Sequence, residues 1–293
     1  MNKPRSISQI ITAKTTIEGE GFIVHRSFPN NAVRDFGPFL LLDEMGPINL
    51  TPNQAKGAPD HPHRGFETVT YVIDGAFEHK DSQGNKGLIL AGGVQWMTAG
   101  SGVIHSEMPE KEFAKKGGRL HAFQLWVNLP KKYKLTPPRY QEILSQEIPR
   151  VTSPDGKVRI TIIAGDSMGK SSSIDTKIPI IYLHLSMKPD STFTQVIPED
   201  YNVFAYVAGG EALFGEDRHL VKKEQVVFFE KNGDKINIDT SSDSIEPSEI
   251  LIIGGSPIGD PIVRYGPFVM NTEEEIQQAI EDYSNGKMGK IDF

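Results

Sequence analysis

Apolar residues fall in short runs separated by polar turns. The runs stand at 66–74 (FETVTYVID), 87–93 (GLILAGG), 120–129 (LHAFQLWVNL), 157–165 (KVRITIIAG), 179–187 (PIIYLHLSM), 202–210 (NVFAYVAGG), 225–230 (QVVFFE) and 249–255 (EILIIGG). They are rich in β-branched and aromatic residues, about strand length, and bounded by Gly, Pro, Asn or Asp, which predicts strands. Many short strands of even spacing fit a sandwich, jelly roll or barrel. One segment has helical spacing instead. After Asn271, Thr272 and Glu275 form a capping-box pair, acidic residues fill the first turn, and Ile276 and Ile280 stand four apart. The expected fold class is all-β with a short C-terminal helix.

A weak internal repeat refines this picture. Tyr71-Val-Ile-Asp-Gly75 recurs as Tyr206-Val-Ala-Gly-Gly210, 135 residues later and close to half the chain. Two similar β-domains arising by duplication are expected. Turn residues at Pro137-Pro138 and Ser153-Pro154-Asp155-Gly156 place the boundary between them. The expected division is 1–135, a linker at 136–156, and 157–293 with the terminal helix in the second domain.

The 293 residues carry a net charge of −7 and no cysteine. Disulfides, iron–sulfur clusters, thiolate nucleophiles and sulfur-ligated zinc are therefore excluded, and any metal must be held by His, Asp or Glu. No apolar run reaches the roughly 18–20 residues of a membrane span, and the first residues lack the pattern of a secretory signal. A soluble, cytoplasmic protein without membrane contact is expected. The acidic balance also argues against direct nucleic-acid binding. Residues 111–139 are the exception, with eight basic side chains (Lys111, Lys115, Lys116, Arg119, Lys131, Lys132, Lys134, Arg139) against one acid, Glu112. The simpler reading is a solvated loop and linker; the sharper one is a docking patch for an anionic protein partner.

Six of the eight histidines lie in the first half of the chain. His61 and His63 are two apart, so both face one side of an extended strand, and Glu67 shares their parity. His105 and Glu107 repeat the spacing behind a glycine turn. Two neighbouring strands that each present such a pair can gather three imidazoles and a carboxylate around one point. That donor set suits iron, manganese, nickel, copper or zinc. His25, His121, His184 and His219 are isolated and receive no role. His79, in the charged run Glu78-His-Lys-Asp81, reads as facing solvent.

Several longer segments resemble the pirin family of the cupin superfamily. They are Gly37-Pro-Phe-Leu-Leu-Leu-Asp-Glu44, His61-Pro-His-Arg-Gly-Phe-Glu-Thr-Val-Thr-Tyr71, Gln95-Trp-Met-Thr-Ala-Gly-Ser-Gly-Val-Ile-His-Ser-Glu107, Gln124-Leu-Trp-Val-Asn-Leu129 and Gly266-Pro-Phe-Val-Met-Asn271. The resemblance implies tandem double-stranded β-helix (jelly-roll) cupin domains with Fe(2+) in the first only. Its ligands would be His61, His63, His105 and Glu107. General cupins use the glutamate after His-x-His, here Glu67, which under the pirin pattern becomes a pocket residue. The repeat offset carries His61 to Val196, His63 to Pro198 and Glu67 to Asn202, so the second domain is expected to be metal-free.

The implied activity is that of a quercetin 2,3-dioxygenase, cleaving a small aromatic flavonol with O2 and releasing carbon monoxide. Glu107, or Glu67, would accept the proton of the 3-hydroxyl. Phe39, Met45, Phe66, Trp96, Phe123 and Trp126 lie near the motifs, most of them as core. The alternative implied role is a redox-sensitive transcriptional co-regulator that meets its partner through 111–139.

Overall fold

The computed structural model describes residues 3–293 and is built almost entirely of strands. The chain divides into two compact units, and each is a pair of facing sheets, one of seven strands and one of four.

In the first unit the seven-stranded sheet runs in the order Arg139–Ile143, Val94–Thr98, Phe66–Asp74, Gly118–Asn128, Phe39–Leu50, Phe22–Phe28, Lys14–Glu18. The four-stranded sheet runs Ala58–His63, Val103–Pro109, Ala76–Asp81, Lys86–Leu90. Chain neighbours are seldom sheet neighbours, which is jelly-roll connectivity. Between the sheets, Val24, Met45, Val72, Phe77, Ile89, Leu120 and Ala122 pack as an apolar core at one end.

The second unit repeats the scheme. Ile7–Thr12, Gln225–Phe229, Asn202–Gly209, Ser248–Gly255, Ile180–Met187, Val158–Ala164 and Arg150–Thr152 form its larger sheet. Thr192–Val196, Lys235–Asp239, Glu211–Phe214 and His219–Lys222 form the smaller one. Its interior is filled by Val, Ile, Leu and Phe side chains from both sheets.

The units are not the contiguous halves expected from the sequence. The change of unit falls between Glu147 and Ile148, inside the expected linker, but both chain ends cross over. Ile7–Thr12 pairs with Gln225–Phe229 and so belongs with residues 148–257. Residues 258–293, with the C-terminal helix, belong with the first unit. The expected linker is itself partly strand, at Arg139–Ile143 and Arg150–Thr152. Backbone hydrogen bonding decides this exchange, because each terminal segment completes a sheet edge or a corner that its own half leaves open.

The C-terminal helix spans Glu273–Ser284, and the Thr272–Glu275 capping box makes both of its reciprocal bonds. Ile276 and Ala279 bury its apolar stripe against Phe268, Met270 and Met288. The helix is tied to the corner after His63. Asp282 accepts from Arg64 Nη1 at 2.8 Å and from Lys287 Nζ at 2.8 Å, and these partners hold its carboxyl down to about 2. That lies below its ordinary 3.8, so the contribution is complete above pH 4 and is lost as pH falls toward 2. Asp282→Asn is expected to cost about 1 kcal/mol at pH 7. In urea unfolding of both proteins, the difference should narrow as pH drops from 4 to 2; a constant difference would refute the pairing.

Candidate metal centre

The four-stranded sheet of the first unit turns its inner face toward three imidazoles. Ala58–His63 pairs antiparallel with Val103–Pro109, bringing His105 opposite His61 and Val103 opposite His63. The ring centroids of His61 and His105 are 4.3 Å apart, those of His61 and His63 are 4.7 Å, and those of His63 and His105 are 4.9 Å. One ring nitrogen from each lies within 4.8 Å of the other two.

Burial tunes these rings as ligands. His63 and His105 are buried, and loss of water holds both well below the ordinary histidine range, with neighbouring imidazoles adding to the effect. Both are therefore neutral, the form that donates a lone pair. His61 Nδ1 lies 2.7 Å from the Pro59 carbonyl, which takes its N–H and leaves Nε2 as donor. Nδ1 of His63 and both nitrogens of His105 have no hydrogen-bond partner. Buried nitrogens without a partner are costly. A divalent ion among the three rings would satisfy them, so the residues present fit a metal.

Glu107 stands on the strand of His105, past a register shift. Its Oε1 accepts from the Thr70 hydroxyl at 2.7 Å, and its carboxylate lies outside the three-nitrogen group. Phe22, Met45, Phe77 and Leu120 surround it around a cavity of about 20 Å³. Desolvation raises its pKa, opposed by Thr70 and His61.

Glu67 sits elsewhere, and the shared-parity expectation is corrected. The strand of His61 and His63 ends at His63, and a corner at Arg64-Gly65 opens the next strand in the other sheet. Thr68 and Thr70 of that strand pair with Trp126 and Gln124. Thr70 reaches Glu107, and Trp126 packs on His63 at 5.1 Å, so this face is the inner one. Glu67 points to the opposite face, where its Oε1 accepts from Thr98 at 2.6 Å.

His79 corrects a second expectation. It is 1% exposed, not solvent-facing, and its ring lies 5.5 Å from His105 and 4.5 Å from Tyr140. Burial pushes its pKa down to about 4. The signal was the alternation Phe77, His79, Asp81: an apolar Phe77 fixes all three inward. Of the aromatic candidates, Phe66 and Trp126 reach His63, at 5.0 and 5.1 Å. Phe39, Trp96 and Phe123 are wholly buried core.

The basic stretch 111–139 is neither a loop nor one cationic face. It folds as a helix at Lys111–Lys116, the strand Gly118–Asn128 and a turn at Lys131–Tyr133. Lys115 and Lys116 pair with Glu112, and Arg119 pairs with Asp74. Lys134 is buried, donating to Gly65 O, Asn128 Oδ1 and Val269 O, each at 2.8 Å. Desolvation lowers its pKa to about 7.

In the second unit, the strand equivalent to that of His61 is Thr192–Val196, with no histidine on it. A larger open cavity, about 960 Å³, borders that strand and the Asp166–Ser171 hairpin, away from the histidine cluster.

Two seven-plus-four jelly rolls, one with a three-histidine inner face, define a two-domain cupin of oxygenase-like fold. Family comparison agrees: a model described as Pirin matches residues 21–127, and one described as Pirin C-terminal cupin domain matches residues 182–289. The chain belongs to the pirin family. It is 45% identical to a pirin-like protein of Solanum lycopersicum, over 98% of this chain and 94% of that one. It is 37% identical to the pirin of Homo sapiens, over 99% and 96%. Among solved structures, a quercetin 2,3-dioxygenase from Acinetobacter baumannii superposes with a TM-score of 0.92 at 34% identity, covering 99% of this chain and 100% of that one.

Metal analysis of purified variants tests the cluster. Wild type is expected to hold one divalent ion per chain, and His63→Ala or His105→Ala to lose it. Glu67→Gln, on the far face, should keep full occupancy. Loss of the ion from Glu67→Gln would refute the assignment of faces.

Proposed function

We propose that the first unit is an Fe(II)-dependent dioxygenase centre of the quercetin 2,3-dioxygenase type. The observation that carries this reading is the convergence of three imidazoles, two of them kept neutral by burial, beside a desolvated carboxylate and a half-buried Trp126. The likeness to the quercetin 2,3-dioxygenase of Acinetobacter baumannii supports it. His61, His63 and His105 would hold the ion; Glu107 follows two residues after His105, with its carboxylate outside the three-nitrogen group. Bound Fe(II) supplies Lewis acidity and one-electron chemistry toward O2.

The remaining work falls to the chain. Glu107, with its raised pKa, accepts the proton of the flavonol 3-hydroxyl, and Thr70 donates a hydrogen bond to the resulting carboxyl group. Thr70 Oγ1 also lies 2.9 Å from Gln124 Oε1, a second acceptor within reach of the same hydroxyl. Trp126, half-buried and backed by the fully buried Phe66 with centroids 4.4 Å apart, offers an aromatic face beside His63 for a flat ring system. In the overall reaction both atoms of O2 enter the opened product. One ring carbon leaves as carbon monoxide.

Aerobic assay of the Fe(II)-reconstituted chain with quercetin tests this. Flavonol loss with stoichiometric carbon monoxide is expected, falling at least 100-fold in Glu107→Gln, the usual scale for removing a proton acceptor. A fully loaded protein that releases no carbon monoxide would overturn the reading.

A further inference from the structure

Trp126 has His63 and Phe66 on one flank and a guanidinium on another. Arg264 places Cζ 5.7 Å from the Trp126 ring centroid, and its Nη1 donates to the Leu40 carbonyl at 3.1 Å. That carbonyl is its one hydrogen-bond acceptor among the described residues, and no carboxylate lies within ion-pair distance of it there. A guanidinium has five N–H donors, so most of this fork is left for water or a ligand. Leaving a partly buried cation without a counter-charge costs free energy.

The surrounding charges do not remedy this. Arg26 is already engaged, through Nε to Asp43 Oδ1 at 2.8 Å and Nη2 to Glu18 Oε1 at 2.6 Å. Arg34 is exposed and forms no ion pair among the described residues. Burial lowers the Arg264 pKa, Arg34 and Arg26 lower it further, and Asp35 opposes them. Asp35 is thus the one acid acting on Arg264, against two arginines.

We propose that Arg264, beside the Trp126 ring, is a specificity-determining residue that selects flat aromatic substrates carrying an anionic group at the end remote from the three histidines. A guanidinium beside an indole has a planar fork of donors that matches a carboxylate or phenolate and tolerates loss of water. The aromatic part of the ligand then lies along Trp126, and its chelating end reaches His61, His63 and His105. This deepens the proposed function and rests on it for the position of the substrate.

The test uses the metal-loaded full chain and two matched probes, 3-hydroxyflavone-4′-carboxylate and 3-hydroxyflavone-4′-carboxamide, titrated by calorimetry. They share a chelating end and differ in charge at the far end. Wild type is expected to bind the carboxylate about tenfold more tightly, the scale of one charge-assisted hydrogen bond. Arg264→Gln should erase that preference without changing carboxamide affinity, and Arg264→Lys should restore part of it. Equal affinities in wild type, an undiminished preference in Arg264→Gln, or no binding of either probe would overturn the proposal. The dioxygenase reading fails on a different result, the absence of carbon monoxide from quercetin. A charge preference without turnover would uphold the role of Arg264, and turnover without a preference would remove that role alone.

Discussion

The corner at Arg64-Gly65 sets the geometry on which the histidine cluster depends. Within two residues the chain leaves the four-stranded sheet and enters the seven-stranded one. Gly65 has φ +88°, and a Cβ there would meet the Val269 carbonyl at 2.0 Å, so only glycine fits. Val269 N donates to Arg64 O at 3.0 Å, Gly65 N donates to Gly100 O at 2.8 Å, and Lys134 Nζ reaches Gly65 O at 2.8 Å. The C-terminal segment thus serves the first unit by satisfying a backbone that would otherwise be buried without partners. The corner leaves His63 in one sheet and brings Phe66 of the next against it.

Desolvation then gives the same small volume two complementary tendencies. Imidazoles without water stay neutral and ready to donate lone pairs, while a carboxylate without water becomes more basic. A row of polar side chains crosses the inner face of the larger sheet, Arg26, Asp43, Gln124 and Thr70, with neighbours paired in register, and Thr70 donates across to Glu107 of the smaller sheet. The row runs from the Arg26 guanidinium at one end to the Glu107 carboxyl at the other.

The second unit isolates what the strand arrangement does by itself. Its sheets have the same strand counts and, apart from one edge strand, the same order, yet Val196 stands where the offset places His61, and the interior is filled by apolar side chains. A jelly roll of this kind packs without polar ligands. The histidines of the first unit are therefore additions to a stable frame, placed where two strands pair, and not requirements of folding.

Much of this was legible in the sequence. Strand runs, the capping box at Thr272, the duplication and the His61, His63 and His105 set all follow from spacing two or from local hydrogen bonding, which neighbouring residues control. The sequence also contained the clue to His79, in the parity of Phe77, although its charged neighbours pointed the other way. What it did not contain was the direction of the chain beyond Gly65, so Glu67 kept a parity that the corner cancels. The exchange of terminal segments and the burial of Lys134 likewise depend on carbonyls offered by residues far along the chain. Local periodicity determines which face of a strand a residue takes; only the closed tertiary structure decides what that face meets, because backbone groups at corners and edges find their partners through space.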